Sequence, residues 1–202
     1  MNIQTIAPGI HYIADFVTAP DVVFADVIEQ VEFVQREARL YGKLRKVPRL
    51  EAWYGPHDYS FGGGSFPARA LPAVLLALRV RLECTLERET FESCLANLYR
   101  DGSDSVAFHA DDEPELGPDP LVACISLGAE RDFLLRRKPE DRESARVARL
   151  AGAPWAAPDN LKISLEHGSL LVMQRGVQAT WLHSLPKRPR CKQARVSLTF
   201  RA

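Results

Sequence analysis

Residues 97–113 read NLYRDGSDSVAFHADDE. Arg100, Asp101, Gly102, Ser103 and Asp104 form a turn signal between two apolar, β-prone runs. His109 and Asp111 close the second run with one residue between them. On an extended chain, residues i and i+2 point to the same face, so an imidazole and a carboxylate stand side by side. The stretch therefore predicts a strand, a turn and a second strand that ends in two of the ligands of a metal site.

Working outward, LVACISLG and RDFLLRR read as another strand pair, KISLEHGSLLVM resumes strand character, and ARVSLTFR is a final strand. Between them, residues 139–160 read as a polar excursion rich in Pro and Ala. Upstream, TAPDVVFADVIEQVEFVQREA has Phe24, Val27, Ile28 and Val31 at i, i+3, i+4 and i+7, which predicts an amphipathic helix with Asp21 in its first turn. A second helix is predicted over 71–86, with Leu71, Leu75, Leu78 and Leu82 on one face and Pro72 in its first turn. The segment between the helices is rich in Gly, Pro, aromatic and basic residues and reads as hairpins and loops with exposed side chains. Seven or so short strands after a helical first half predict a jelly-roll or barrel core with helices packed outside.

The 202 residues suffice for one domain with a core, and 46% hydrophobic with 26% charged residues excludes a disordered chain. The formal net charge of zero gives no bulk argument for a polyanionic partner, but basic residues cluster at 42–49, 136–138 and 187–192. The four cysteines form no C-x-x-C pair and read as reduced thiols. No signal peptide and no apolar run near the roughly 20 residues of a membrane span are seen, so a cytoplasmic protein is expected.

Two histidines downstream of Asp111 are candidates for a third ligand: His167 in LEHGSLL and His183 in TWLHSLP. Either would complete a 2-His-1-carboxylate triad, the pattern that leaves positions open on Fe(II). The final strand adds to this. Period-2 alternation puts Arg195, Ser197, Thr199 and Arg201 on one face and Val196, Leu198 and Phe200 on the other. Arginines on an inner face require anions, and a dicarboxylate cosubstrate bound at iron supplies them.

Taken in order, NLYRDGSDSVAFHADDE, ISLGAERDFLLRRK, EHGSLLVM, HSLP and RVSLTFR resemble the AlkB family of Fe(II)/2-oxoglutarate dioxygenases, nearest to its duplex-DNA-repair branch. The resemblance covers about residues 41–201. It implies an α+β fold in a single domain over 1–202: a double-stranded β-helix (jelly-roll) core at 91–202, flanking N-terminal helices, and a nucleotide-recognition lid at 38–70. It implies His109, Asp111 and His183 as ligands of Fe(II), with His167 a structural turn residue. It implies Asn97, Tyr99, Arg195 and Arg201 as the 2-oxoglutarate pocket, with Ser197 where the family usually has Asn.

The implied activity uses Fe(II), 2-oxoglutarate and O2 to remove alkyl groups from 1-methyladenine or 3-methylcytosine in DNA, releasing formaldehyde and succinate. The implied partner is alkylated DNA or RNA, with no membrane, and the protein acts as a monomer in the cytoplasm, on the nucleoid or in the nucleus. Tyr59 and Phe61 are expected to line the base pocket and Glu113 to read the exocyclic amino group. Tyr41 is expected to wedge into the duplex, and Arg45 and Arg49, with Lys43 and Lys46, to contact phosphates. Two alternatives are an RNA or tRNA demethylase with the same chemistry and a noncatalytic binder of damaged nucleic acid.

Overall fold

Antiparallel pairing organises almost the whole chain, and the pairing begins closer to the N-terminus than the sequence predicts. The computed structural model describes residues 2–202 other than 41–42, 62–63, 88, 118, 151 and 153–157. In chain order the elements are β1 (Gln4–Ala7), β2 (Ile10–Ile13), α1 (Pro20–Gln30), β3 (Glu37–Leu40), β4 (Lys43–Lys46), β5 (Leu50–Tyr54), β6 (Tyr59–Phe61), β7 (Gly64–Phe66), α2 (Ala73–Thr85), β8 (Ser93–Tyr99) and β9 (Val106–His109). There follow β10 (Val122–Gly128), β11 (Arg131–Arg137), α3 (Pro139–Leu150), β12 (Asn160–Leu165), β13 (Ser169–Met173), α4 (Val177–Thr180), β14 (Trp181–Leu185) and β15 (Arg195–Arg201).

Among the described residues, the large sheet has the order β1-β2-β13-β10-β15-β8-β5 and the small one β12-β11-β14-β9. Two hairpins, β3-β4 and β6-β7, stand apart. The strands β1, β2 and β5 are thus part of the large sheet although they precede residue 91, so that boundary does not divide the sheet.

The alternation in β15 behaves as expected and accounts for the layering. Val196, Leu198 and Phe200 are fully buried in a cluster with Val27 and Val31 and with Leu75, Leu78 and Leu82 of α2. The opposite face of the large sheet packs on the small one, where Cys124, Leu171 and Met173 meet Phe133, Leu135, Ile163 and Leu165. Both faces of β15 are therefore covered, and Arg195 and Arg201 are only 1% and 4% exposed. Each buried Leu or Phe on the helix-facing side stabilises the fold by about 1.5–3 kcal/mol.

The helices differ from the predicted ones in instructive ways. α1 stops at Gln30, and Val31 is already extended. Beyond it, Val34 exchanges both backbone hydrogen bonds with Glu51 (3.0 and 2.9 Å), because the β-branched and aromatic residues Val31, Phe33 and Val34 favour extended pairing over continued helix. Ile28, assigned by periodicity to the buried face, is 42% exposed. α2 buries Val74, Leu75, Leu78 and Leu82, with Pro72 at its N-cap and not inside its first turn. The polar excursion contains the helix α3, which opens on Pro139 with Glu140 and Asp141 in its first turn and carries Arg149 in its last. No apolar stripe announces it, since its surface is solvated and Glu143 pairs with Arg146.

No helix among the described residues is long and apolar enough to cross a membrane. The cysteines are free: Cys94 and Cys124 are buried, Cys191 is partly covered, and Cys84 is exposed.

Gly102 in the RDGSD turn is braced against the basic loop after β14: its N–H donates to Cys191 O (2.9 Å) and its carbonyl accepts from Arg188 N–H (2.7 Å). A Cβ on Gly102 would lie 1.7 Å from Arg188 O, so the turn must part from the loop to admit it. Gly102→Ala is expected to destabilise the protein by about 2–4 kcal/mol, read as a fall in the thermal midpoint of roughly 5–15 °C. Gly152→Ala, where no atom of the described residues lies within 4 Å although φ is +72°, is expected to cost about 1 kcal/mol.

Candidate metal centre

His109 ends β9, and His183 stands in the middle of β14 as its direct register partner. Paired residues on neighbouring strands project to the same face, so the two imidazoles meet, with ring centroids 4.2 Å apart. Asp111 lies two residues beyond β9 and is 3% exposed. Its Oδ1 is 3.6 Å from His109 Nε2 and 3.7 Å from His183 Nε2. Its Oδ2 accepts from Arg201 Nε and Nη2 at 3.1 and 2.9 Å. One carboxylate oxygen is thus held by the guanidinium and the other faces the histidines. Ligand atoms bonded at about 2.1 Å and at right angles are about 3 Å apart, so a small contraction brings these three onto one metal ion.

The protonation states suit a cation. His109 Nδ1–H donates to Ala107 O at 2.9 Å, which turns the Nε2 lone pair toward the cluster. Burial pushes the His183 pKa down to about 3, reinforced by His109, so at neutral pH it is a neutral imidazole. Burial pushes Asp111 up, but Arg201, His183 and His109 outweigh it and hold the carboxyl at about 2. The backbone N–H of Asp111 donates to the Gln178 side-chain Oε1 at 3.0 Å, and Gln178 is itself 2% exposed. His183 also stacks on Phe133, with centroids 5.3 Å apart. Gln178 and Phe133 had no signal in the sequence: an amide in a four-residue helix and one aromatic in an apolar strand look ordinary until the sheets close.

His167 is used elsewhere. Its Nδ1 accepts from Gly128 N–H at 2.8 Å and its Nε2 meets Asp21 Oδ1 at 3.2 Å, so both ring nitrogens serve the turn before β13.

The second wall of the cavity comes from β8 and β15, where Arg195 pairs with Tyr99 and Ser197 with Asn97 in register. All four, with Arg201 and the three ligand residues, line one cavity. Arg195 donates from Nη2 to Ser126 Oγ (2.8 Å), while its buried Nε and Nη1 have no hydrogen-bond partner among the described residues. Its guanidinium lies 5.4 Å from the Tyr99 ring, and that of Arg131 lies 5.9 Å from the same ring. Arg131 is held by the carbonyls of Asp104 and Pro186 at 2.9 and 2.6 Å and by no carboxylate among the described residues. A buried cation with two idle donors is costly, and a carboxylate of a small ligand fits it. Ser197 Oγ lies 3.1 Å from Cys124 Sγ at the floor.

The remaining predicted residues scatter. Glu113 is half-buried; burial raises its pKa, and the Asp111 charge adds to this. Tyr59 is fully buried, stacked on Trp53 with centroids 4.2 Å apart, and the Arg201 guanidinium lies 5.5 Å from its ring. Tyr59 thus packs behind Arg201 and is not among the residues that line the cavity. The side chain of Phe61 and all of Tyr41 lie outside the described residues. Lys43, Arg45 and Lys46 are exposed on β4. Arg49 parts from them: it is 5% exposed, with its guanidinium turned inward to Asn97 and Glu51. The sequence grouped it with its basic neighbours because proximity in a run carries no information on direction.

The profile of the 2OG-Fe(II) oxygenase superfamily matches residues 10–201. The mouse protein "Alpha-ketoglutarate-dependent dioxygenase alkB homolog 3" is 42% identical over 183 residues, 90% of this chain and 60% of the mouse protein. The human protein of that name is 37% identical over 182 residues, with the same coverage. The chain thus spans about 60% of the length of these relatives. The mouse "DNA oxidative demethylase ALKBH2" is 36% identical over 186 residues, 90% of this chain and 74% of that protein. Among solved structures, "The structure of OsALKBH1" superposes with a TM-score of 0.59 at 16% identity over 99% of both chains, a likeness of fold.

Titration of the apo-protein with Mn(II), followed by calorimetry, is expected to give one site. Asp111→Ala and His183→Ala should each abolish it, whereas His167→Ala should retain it while lowering the thermal midpoint. Loss of metal in folded His167→Ala, with retention in His183→Ala, would reverse the ligand assignment.

Proposed function

We propose an activity for this chain, which belongs to the 2OG-Fe(II) oxygenase superfamily and, within it, to the AlkB family: oxidative removal of alkyl groups from N-alkylated bases, 1-methyladenine and 3-methylcytosine, in DNA. The observation that carries it is the joint presence, around one cavity, of the His109–Asp111–His183 cluster and a buried arginine, Arg195, with two donors unpaired among the described residues. His109, Asp111 and His183 hold Fe(II), and Arg195 pairs with the far carboxylate of 2-oxoglutarate, beside Asn97, Tyr99 and Ser197. Together Fe(II), 2-oxoglutarate and O2 supply a two-electron oxidation of the carbon on the damaged nitrogen, after which that carbon leaves as formaldehyde and the cosubstrate as succinate and carbon dioxide.

The chain's own residues orient and exclude. Arg201 holds Asp111 by one oxygen, so the carboxylate presents the other to the metal. Phe133 backs His183, and the burial of Asp111 and His183 keeps bulk water off the ligands. A base must leave its stack to reach such a site. Glu113, whose carboxyl is half-buried close to Asp111 and Arg201, is suited to accept a hydrogen bond from the exocyclic amino group. Lys43, Arg45 and Lys46 are exposed and free to approach phosphates, and Tyr41, which follows Leu40 in the sequence, is the residue we assign to filling the gap. The name of the mouse relative, a DNA oxidative demethylase, supports DNA over RNA.

Mass spectrometry of methylated oligonucleotides after incubation with iron, 2-oxoglutarate and oxygen is the direct test; demethylation confined to RNA would reject the DNA reading. Arg195→Ala is expected to raise the KM for 2-oxoglutarate by about tenfold or more, since it removes a charge-assisted pair. Replacing Lys43 and Arg45 with alanine should reduce the slope of log affinity against log salt by about 2 on duplex DNA, without changing the KM for 2-oxoglutarate.

A further inference from the structure

Arg49 reaches the cavity from the edge of the large sheet, and its guanidinium meets three groups among the described residues. Nε donates to Asn97 Oδ1 at 2.8 Å, Nη1 to Ser105 O at 3.3 Å, and Nη2 lies 2.6 Å from Glu51 Oε1. Glu51 is 0% exposed, and its other oxygen accepts from Arg36 Nε at 3.0 Å. These contacts join three parts of the protein. Asn97 is on β8 in the cosubstrate wall. Ser105 leads directly into β9, which ends in His109. Arg36 leads directly into the β3-β4 hairpin, whose basic side chains are exposed.

The chemistry of the amide gives this arrangement a direction. A guanidinium only donates, so the Asn97 group facing it is the carbonyl oxygen, and the NH2 is the end turned elsewhere. Asn97 lines the cavity, where an anionic ligand needs donors. A freely rotating amide would offer oxygen or nitrogen with similar ease, and the oxygen would repel a carboxylate. Arg49 removes that choice. Its anchor matters as well: a lone arginine could swing away, but the buried Glu51 carboxylate, clamped by Arg36 from the other side, fixes the fork.

We propose that Arg49 is a positioning residue for the cosubstrate: held by Glu51, it orients the Asn97 amide with its donor end toward the cavity, and through Arg36 it joins that orientation to the nucleic-acid hairpin. The inference rests on the cosubstrate reading above. It takes the place of the phosphate contact expected of Arg49, which is 5% exposed with its guanidinium turned inward.

The test measures binding, not turnover: calorimetric titration of the Mn(II)-loaded protein with 2-oxoglutarate. Arg49→Lys keeps the charge but reaches fewer of the three partners, and should weaken binding by about tenfold, the loss of one charge-assisted hydrogen bond. Asn97→Ala should weaken it similarly. Because Arg49 acts through Asn97, the double variant should bind no more weakly than Asn97→Ala alone. Glu51→Asp, which retracts the anchor by one carbon, should weaken binding in the same direction and serves in place of Arg49→Lys if that variant does not fold. Unchanged affinity in the folded variants, or losses that add in full in the double variant, would overturn the proposal. So would an Arg49→Lys variant with normal 2-oxoglutarate affinity and weakened DNA binding. If the wild-type protein itself does not bind 2-oxoglutarate, the cosubstrate reading falls first, which is a different result.

Discussion

The Asp111 carboxylate is shared between a cation on one sheet and a pair of imidazoles on the other, and most of the site follows from that division. Arg201 comes from β15 in the large sheet; His109 and His183 come from β9 and β14 in the small one. Asp111 belongs to neither, standing in the loop between, where Gln178 holds its backbone. Removing one partner of such a buried pair costs about 3–5 kcal/mol, since the other is left charged and dry. The pair therefore sets how far apart the two sheets stand at this end, and with it the space available to a ligand. At the other end of β15, Arg195 has no carboxylate among the described residues, so the same strand carries one neutralised cation and one that awaits an anion.

Much of this was legible in the sequence because period-2 alternation is a direct record of direction. The seven residues of β15 announce two faces, and both are buried, one under helices and one under the second sheet. His109 and Asp111 were legible for the same reason. What alternation leaves open is which distant strand lies opposite, and His167 and His183 were equal on spacing. Register separates them: His183 is paired across from His109, whereas His167 caps the backbone of Gly128.

The misreadings share a physical origin. Periodicity reports a helix face only while the backbone stays helical, and Val34 prefers a partner strand to another turn. α3 is rich in charge, and none of its described side chains is buried, so a reading by apolar runs and loop-like composition passes over it. Tyr59 and Arg49 sit in stretches that look exposed, yet both turn inward, Tyr59 against Trp53 and Arg49 against Glu51. Their partners Glu51 and Trp53 lie only two and six residues away, but both are buried side chains of β5, which the loop-like composition around them conceals.

The pairing of His109 with His183 has a mechanical consequence. β9 is a short strand at the edge of the small sheet, joined to β14 by a ladder with an irregularity between His183 and Leu185. An edge with so few rungs is easily peeled, and a peeled edge invites pairing with another chain. A metal ion held by those two histidines ties the outer strand to its neighbour. Cofactor occupancy would then govern colloidal behaviour as well as chemistry, with the metal-free form the one prone to self-association.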